Sequence, residues 1–170
     1  MSVVSANPME RLQSLTVADV MSRPVTVVPG CARMEEAARI LADADASGAP
    51  VVDDAGHCIG VLSAADFLRF EVLKAQPDQY DRGDWAAGGE AAPRDSVRRF
   101  MTPAVQTAPA HESLLKAAAV MCLEHIHRLI VLDHRGEPIG VVSTLDVMSA
   151  MLAAIDEASQ RRSSETRSTA

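Results

Sequence analysis

The stretch Gly60-Val61-Leu62-Ser63-Ala64-Ala65-Asp66 decides how this chain is read, because it returns as Gly140-Val141-Val142-Ser143-Thr144-Leu145-Asp146. Glycine, two apolar residues, serine, two spacers and aspartate keep their order. Each copy follows a turn and opens a helical pattern, which predicts a strand-to-helix junction at both places. Upstream the match continues at the same offset. Val17 aligns with Val97, Met21 with Met101, Pro29 with Pro109, and Asp53 and Gly56 with Asp133 and Gly136. At an offset of 80, 14 of the 52 positions from 17 to 68 are identical without a gap. Unrelated segments would share about 3 or 4. The chain is an internal duplication, and its function is expected at the two junctions.

Within one copy the signals run in a fixed order. Thr16 is available to cap a short turn over 17–21. Val25-Thr26-Val27-Val28 predicts a strand closed by Pro29-Gly30. Residues 34–45 predict a helix, with apolar or small residues at 34, 37, 38 and 41 and charges at 35, 36, 39 and 43. Ser47-Gly48 is expected to end it, with Gly48 in the left-handed conformation. Residues 49–52 and 58–62 predict a hairpin around the turn 53–56, and a second helix starts at Ser63. A unit of roughly 55 residues buries little surface alone. Two copies are therefore expected to bury their sheets against each other. That predicts an α+β fold of two β-α-β-β-α repeats with pseudo-twofold symmetry and two equivalent clefts. The expected segments are a lead-in 1–15, repeats 16–75 and 96–155, a linker 76–95, and a polar, disordered tail 156–170. Tyr80 and Trp85, the chain's lone Tyr and Trp, fall in the linker, so part of it is expected to pack.

Composition narrows the function. Apolar residues make up 48% of the chain but aromatics only 3%, so the core must be Ala, Val, Leu, Ile and Met. The net charge is −7, without the clustered Lys and Arg that nucleic-acid binding leaves. It also disfavours adhesion to acidic membranes. Cys31, Cys58 and Cys122 have no CxxC spacing and read as buried thiols in a reducing compartment. No apolar signal core or membrane-length run occurs, so a cytoplasmic protein is expected. Cys122-x-x-His125-x-His127 hints at a metal, but Cys122 reads as a core position and no fourth ligand is evident. No phosphate-binding P-loop and no Ser-His-Asp order is present, so no enzyme and no metal is expected.

The doubled pattern resembles the cystathionine-β-synthase (CBS) domain in its tandem arrangement, the Bateman module. The resemblance covers about 16–75 and 96–155. It rests on Asp19-Val20-Met21 and Arg99-Phe100-Met101-Thr102, on Ala49-Pro50-Val51-Val52-Asp53 and His127-Arg128-Leu129-Ile130-Val131-Leu132-Asp133, and on the two Gly-x-x-Ser-x-x-Asp stretches. It implies a regulatory module that binds AMP, ADP, ATP or S-adenosylmethionine, with no obligatory cofactor. The motif aspartate would hold the ribose hydroxyls and the motif serine would lie near phosphate. Carried over, Ser63 and Asp66 serve one cleft, and Ser143 and Asp146 the other. Pro50 and Ile130 would pad an adenine face. In the regulatory γ subunit of AMP-activated protein kinase a similar His-Arg-Leu-x-Val stretch contacts phosphate. His127 and Arg128 would therefore serve the Asp66 cleft. Their counterparts Ser47 and Gly48 carry no charge, so the Asp146 cleft is expected to hold phosphate poorly, to bind a nucleoside-like ligand such as S-adenosylmethionine, or to stay empty.

Physical chemistry supports this reading and a plainer one together. A helix N-terminus offers unpaired N–H groups and partial positive charge to a phosphate. Gly60 and Gly140 would let a ligand approach the backbone. Yet Ser-x-x-Asp ahead of an apolar run is also a capping box, and Asp66 and Asp146 would favour a first turn anyway. Modules of this family commonly form dimers through their helices. Val147, Met148, Met151 and Leu152 suit such a homodimer or a plain core. The signal would pass to a separate effector protein. The alternative is a constitutive interaction scaffold with vestigial clefts.

Overall fold

A computed structural model of the chain describes residues 7–75, 93–103 and 105–168, with side chains described through residue 160. The expected linker 76–95, with Tyr80 and Trp85, lies almost entirely outside the described residues. In chain order the elements are α1 (Pro8–Ser14), α2 (Val17–Val20), β1 (Val28–Pro29), α3 (Met34–Asp43), β2 (Gly48–Val52), β3 (Cys58–Ser63) and α4 (Ala64–Lys74). There follow α5 (Val97–Phe100), β4 (Thr107–Pro109), α6 (Leu114–Leu123), β5 (Arg128–Leu132), β6 (Pro138–Ser143) and α7 (Thr144–Ser168). The order strand, helix, strand, strand, helix occurs twice, as expected, in a mixed α+β fold.

Two three-stranded sheets carry the fold, ordered β1-β2-β3 and β4-β5-β6. In the first, β1 pairs parallel with β2, and β2 pairs antiparallel with β3 in the register Gly48↔Ser63 to Val51↔Gly60. The expected strand over Val25–Val28 is shorter: only Val28 and Pro29 meet β2. The turns are built alike. Asp53 Oδ1 accepts from the Ala55 and His57 N–H groups at 2.9 Å each. Asp133 Oδ1 accepts from Arg135 and Glu137 at 2.8 and 2.9 Å. Gly56 and Gly136 follow at φ +87° and +83°, a conformation that favours glycine.

The chain falls into two compact units, Pro24–Gln106 with Leu132–Ile139, and Met1–Arg23 with Thr107–Val131 and Gly140–Ala170. In the β1–β3 unit, α3 buries Met34, Ala37 and Leu41 and leaves Ala38 exposed with its charged neighbours. Those side chains join Val28, Ala49, Val51, Leu62, Phe70, Val97, Phe100 and Met101 in one core. Phe70 and Phe100 meet edge to face, centroids 5.1 Å apart, a favoured ring geometry. In the β4–β6 unit, Val17, Leu114, Met121, Leu129, Val131 and Val142 are buried. The aromatic-poor composition is satisfied there by β-branched strands and small helix residues.

Several local readings change. The left-handed residue after α3 is Asp45 (φ 49°), and after α6 it is His125 (φ 53°). The following N–H groups close the helix ends, Ala46 to the Leu41 carbonyl at 2.9 Å and Ile126 to Met121 at 3.0 Å. Gly48 is a strand residue instead. A Cβ there would lie 2.7 Å from the Leu62 carbonyl oxygen. Cys31 and Cys122 are exposed and Cys58 is half-buried, so the thiols are not core residues. Burial raises the Cys58 pKa above its usual range. Finally, α7 continues to Ser168, beyond the expected limit near 155. Ala154 is buried, α1 packs along this helix, and Arg11 pairs with Glu157 at 3.7 Å. The polar end lacks an apolar face but is rich in helix-forming Glu, Gln and Arg.

Candidate functional site

Each junction is framed by the other repeat's lead helix. In the β1–β3 unit, Val97 and Arg98 at the start of α5 donate their N–H groups to the Ala32 and Gly30 carbonyls, at 2.8 and 3.0 Å. In the β4–β6 unit, Val17 and Ala18 of α2 donate to Glu112 and Ala110, at 2.9 and 2.8 Å. The residues after these helices bridge to the strand beside each junction, Thr102 to Val61 and Ser22 to Val141. This explains the glycines. A Cβ on Gly60 would stand 2.6 Å from Met101 Sδ and 2.9 Å from the Thr102 carbonyl oxygen. On Gly140 it would stand 2.6 Å from Met21 Sδ and 3.3 Å from the Ser22 oxygen. Both glycines thus answer a packing demand inside their own unit.

At the first junction, β3 ends at Ser63 and α4 begins. Asp66 Oδ2 accepts from the Ser63 N–H at 2.8 Å and from Ser63 Oγ at 2.9 Å. Asp66 Oδ1 accepts from Arg69 Nη2 at 3.1 Å. The same Nη2 donates to the Phe100 carbonyl of α5. Asp66 is 3% exposed. Both of its carboxylate oxygens are engaged, one by the cap and one by a charge-assisted bond. The sequence reading named Ser63 and Asp66 but missed Arg69. The available signal was its (i, i+3) spacing from Asp66, which puts the two on one helix face.

The second junction repeats the cap without the arginine. Asp146 Oδ2 accepts from the Ser143 N–H at 2.7 Å and from Ser143 Oγ at 2.6 Å. Ser143 Oγ accepts in return from the Asp146 N–H at 3.3 Å, closing the reciprocal box. Ser149 stands where Arg69 stands in the first repeat. Asp146 is half-buried, and its Oδ1 has no hydrogen-bond partner among the described residues. The capping role expected of both pairs is therefore present, and at one of them it leaves an acceptor over.

His127 and Arg128 are both exposed. The His127 carbonyl accepts from the Thr144 N–H at 3.0 Å, which sets the pair beside the Ser143 junction of its own unit. Pro50 and Ile130 are buried strand residues, and Pro50 faces Val61 across the hairpin. Cys122 and His125 do not share a helix face, because α6 stops at Leu123. Among the described residues no cluster of three His, Cys, Asp or Glu could hold a metal. No helix among them is long and apolar enough to cross a membrane.

A doubled β-α-β-β-α unit with a Ser-x-x-Asp cap at each second helix defines a tandem repeat module. The sequence profile of the CBS domain matches it twice, over residues 17–72 and 97–153, and the chain belongs to that family. It is 30% identical over 131 residues to the γ-3 subunit of 5′-AMP-activated protein kinase from Bos taurus, spanning 76% of this chain and 24% of that protein. Its fold is similar to that of CBSX2 crystallised with AMP, with a TM-score of 0.67 at 25% identity over 82% of this chain and 98% of that one. It is similar also to the CBS domain pair of protein MJ0100, crystallised with 5′-methylthioadenosine and S-adenosyl-L-methionine. That TM-score is 0.62 at 23% identity, over 79% and 94% of the two chains, and this likeness concerns the fold alone. The chain spans about a quarter of the length of the first curated relatives it matches.

Proposed function

We propose that this protein is a regulatory module that binds an adenosine-containing ligand, AMP, ADP, ATP or S-adenosylmethionine, and signals its presence to a separate effector without turning it over. The observation that carries the reading is the Asp146 junction. Its carboxylate is fixed at a helix start by Oδ2 and keeps Oδ1 open. A carboxylate so held can accept from a ribose hydroxyl, and the neighbouring helix N-terminus favours a phosphate. The crystallised AMP complex of CBSX2 supports the ligand class. His127 and Arg128, expected from the resemblance to serve the Asp66 cleft, stand beside the Ser143 junction of their own unit, and we assign them to it as cationic donors on the phosphate side.

Signalling by such a module requires that ligand and effector favour different arrangements of the same chain. Leu145, Met148, Leu152 and Ile155 lie at i, i+3, i+7 and i+10 of α7, and all four are exposed. An apolar stripe of this kind supports homodimerisation through α7, while Val147 faces inward. The same stripe favours the second reading, a constitutive scaffold. Titration calorimetry of the whole chain with AMP, ATP and S-adenosylmethionine separates the two. The sensor gives saturable heat with at least one of them. No heat with any would leave the scaffold.

A further inference from the structure

We propose that Arg69 holds the first junction closed, so that the chain offers one adenosine site, at Asp146, and keeps Asp66 as a filled copy. The inference rests on the reading above, that a Ser-x-x-Asp carboxylate receives the sugar. It concerns which of the two does so.

The two junctions share the cap and differ in what lies one helical turn further on. At the first, the Arg69 guanidinium spans Asp66 Oδ1 and the Phe100 carbonyl. A sugar hydroxyl must displace a cation from a carboxylate that is 3% exposed. The displaced guanidinium also leaves its carbonyl acceptor. A neutral hydroxyl does not replace a charge-assisted bond on equal terms. At the second, Ser149 is too short to act as Arg69 does. Asp146 is half-buried and keeps Oδ1 open, so an arriving hydroxyl displaces only solvent. The α2 carbonyl that corresponds to Phe100 is that of Val20, and α2 packs on α7. An arginine placed at 149 would have Asp146 Oδ1 one helical turn away on the same face, as Arg69 has Asp66. The distinction is made by one side chain, on a background that the duplication otherwise keeps.

Calorimetry with AMP, and separately with S-adenosylmethionine, on the full chain tests this. The wild type should take up about one ligand per chain, since one carboxylate has a free acceptor. Asp146→Asn should weaken binding about tenfold or more, and Asp66→Asn should leave it nearly unchanged. Arg69→Ser should raise the stoichiometry to about two by giving the first junction the geometry of the second. Ser149→Arg should abolish uptake with the circular dichroism spectrum unaltered. If Arg69→Ser does not fold, Ser149→Arg carries the test, and undiminished binding in it overturns the proposal. So does a wild-type stoichiometry of about two in which each aspartate variant removes one equivalent. No binding by the wild type but binding by Arg69→Ser would remove the functional reading and leave the closure standing. No binding by either would remove both.

Discussion

The Ser63–Asp66 and Ser143–Asp146 junctions descend from one pattern, yet one is closed on itself and the other is not. In both, a serine N–H and hydroxyl donate to a single oxygen of the aspartate. The second oxygen separates them. Asp66 gives it to Arg69 and is buried, while Asp146 keeps it and stays half-exposed. A motif therefore specifies a cap, and the residues around it decide whether an acceptor remains for anything else. The largest expected effect follows from this difference. Asp66→Ala removes the cap and a charge-assisted bond from Arg69, and should cost about 2–3 kcal/mol of unfolding free energy. Asp146→Ala loses mainly the cap and should cost about 1 kcal/mol. Urea denaturation of the two variants measures the gap, and equal losses would break the comparison.

The glycines sharpen it at a second point. At Gly60 an added methyl meets the Thr102 carbonyl at 2.9 Å, which is backbone and cannot swing aside. At Gly140 the corresponding carbonyl is 3.3 Å away, and the nearest atom is the flexible end of Met21. Gly60→Ala should therefore lose about 2 kcal/mol and Gly140→Ala about 1 kcal/mol. Paired chemical-denaturation curves test the order. A larger loss at Gly140 would overturn the order of the two lead segments.

What the sequence made legible was whatever depends on residues close in the chain. The period of α3, the hairpin around Asp53 to Gly56 and the helix starts at Ser63 and Ser143 are local signals, and the structure contains them. The doubling makes the β-α-β-β-α order plain in the sequence itself. What stayed hidden depends on contacts far apart in sequence. Gly60 reads as room for a ligand until Met101 is seen against it. Arg69 looks like one more charge on a helix until the Phe100 carbonyl is placed beside it. The polar stretch after 155 gives no sign that Glu157 pairs with Arg11 of α1, which packs on α7. Gly48 drew the helix-ending role by residue type, although Asp45 and His125 hold the left-handed position. Cys122 borrowed a core assignment from Met121, one residue and about 100° of helical rotation away.

The smallest predicted effect comes from the two hairpin turns, where the repeats agree. Asp53 and Asp133 have pKa values below the ordinary carboxylate value of 3.8, first because the N–H groups of His57 and Glu137 donate to them. The chain unfolded has neither bond. A carboxyl lowered in the folded state contributes stability that is whole above 3.8 and fades as pH falls through its folded value. Both turns must therefore weaken on acidification, with the same sign. Asp53→Asn and Asp133→Asn keep a side-chain oxygen for the N–H groups but no longer titrate. Their melting temperatures should trail the wild type near neutrality and converge on it in acid. The two differences should also share their sign, since the paired backbone N–H bonds repeat at both turns. If one variant converged and its twin did not, the symmetry that fails at Arg69 would fail at the turns as well. The duplication would then have diverged in its scaffold and not only beside its carboxylates.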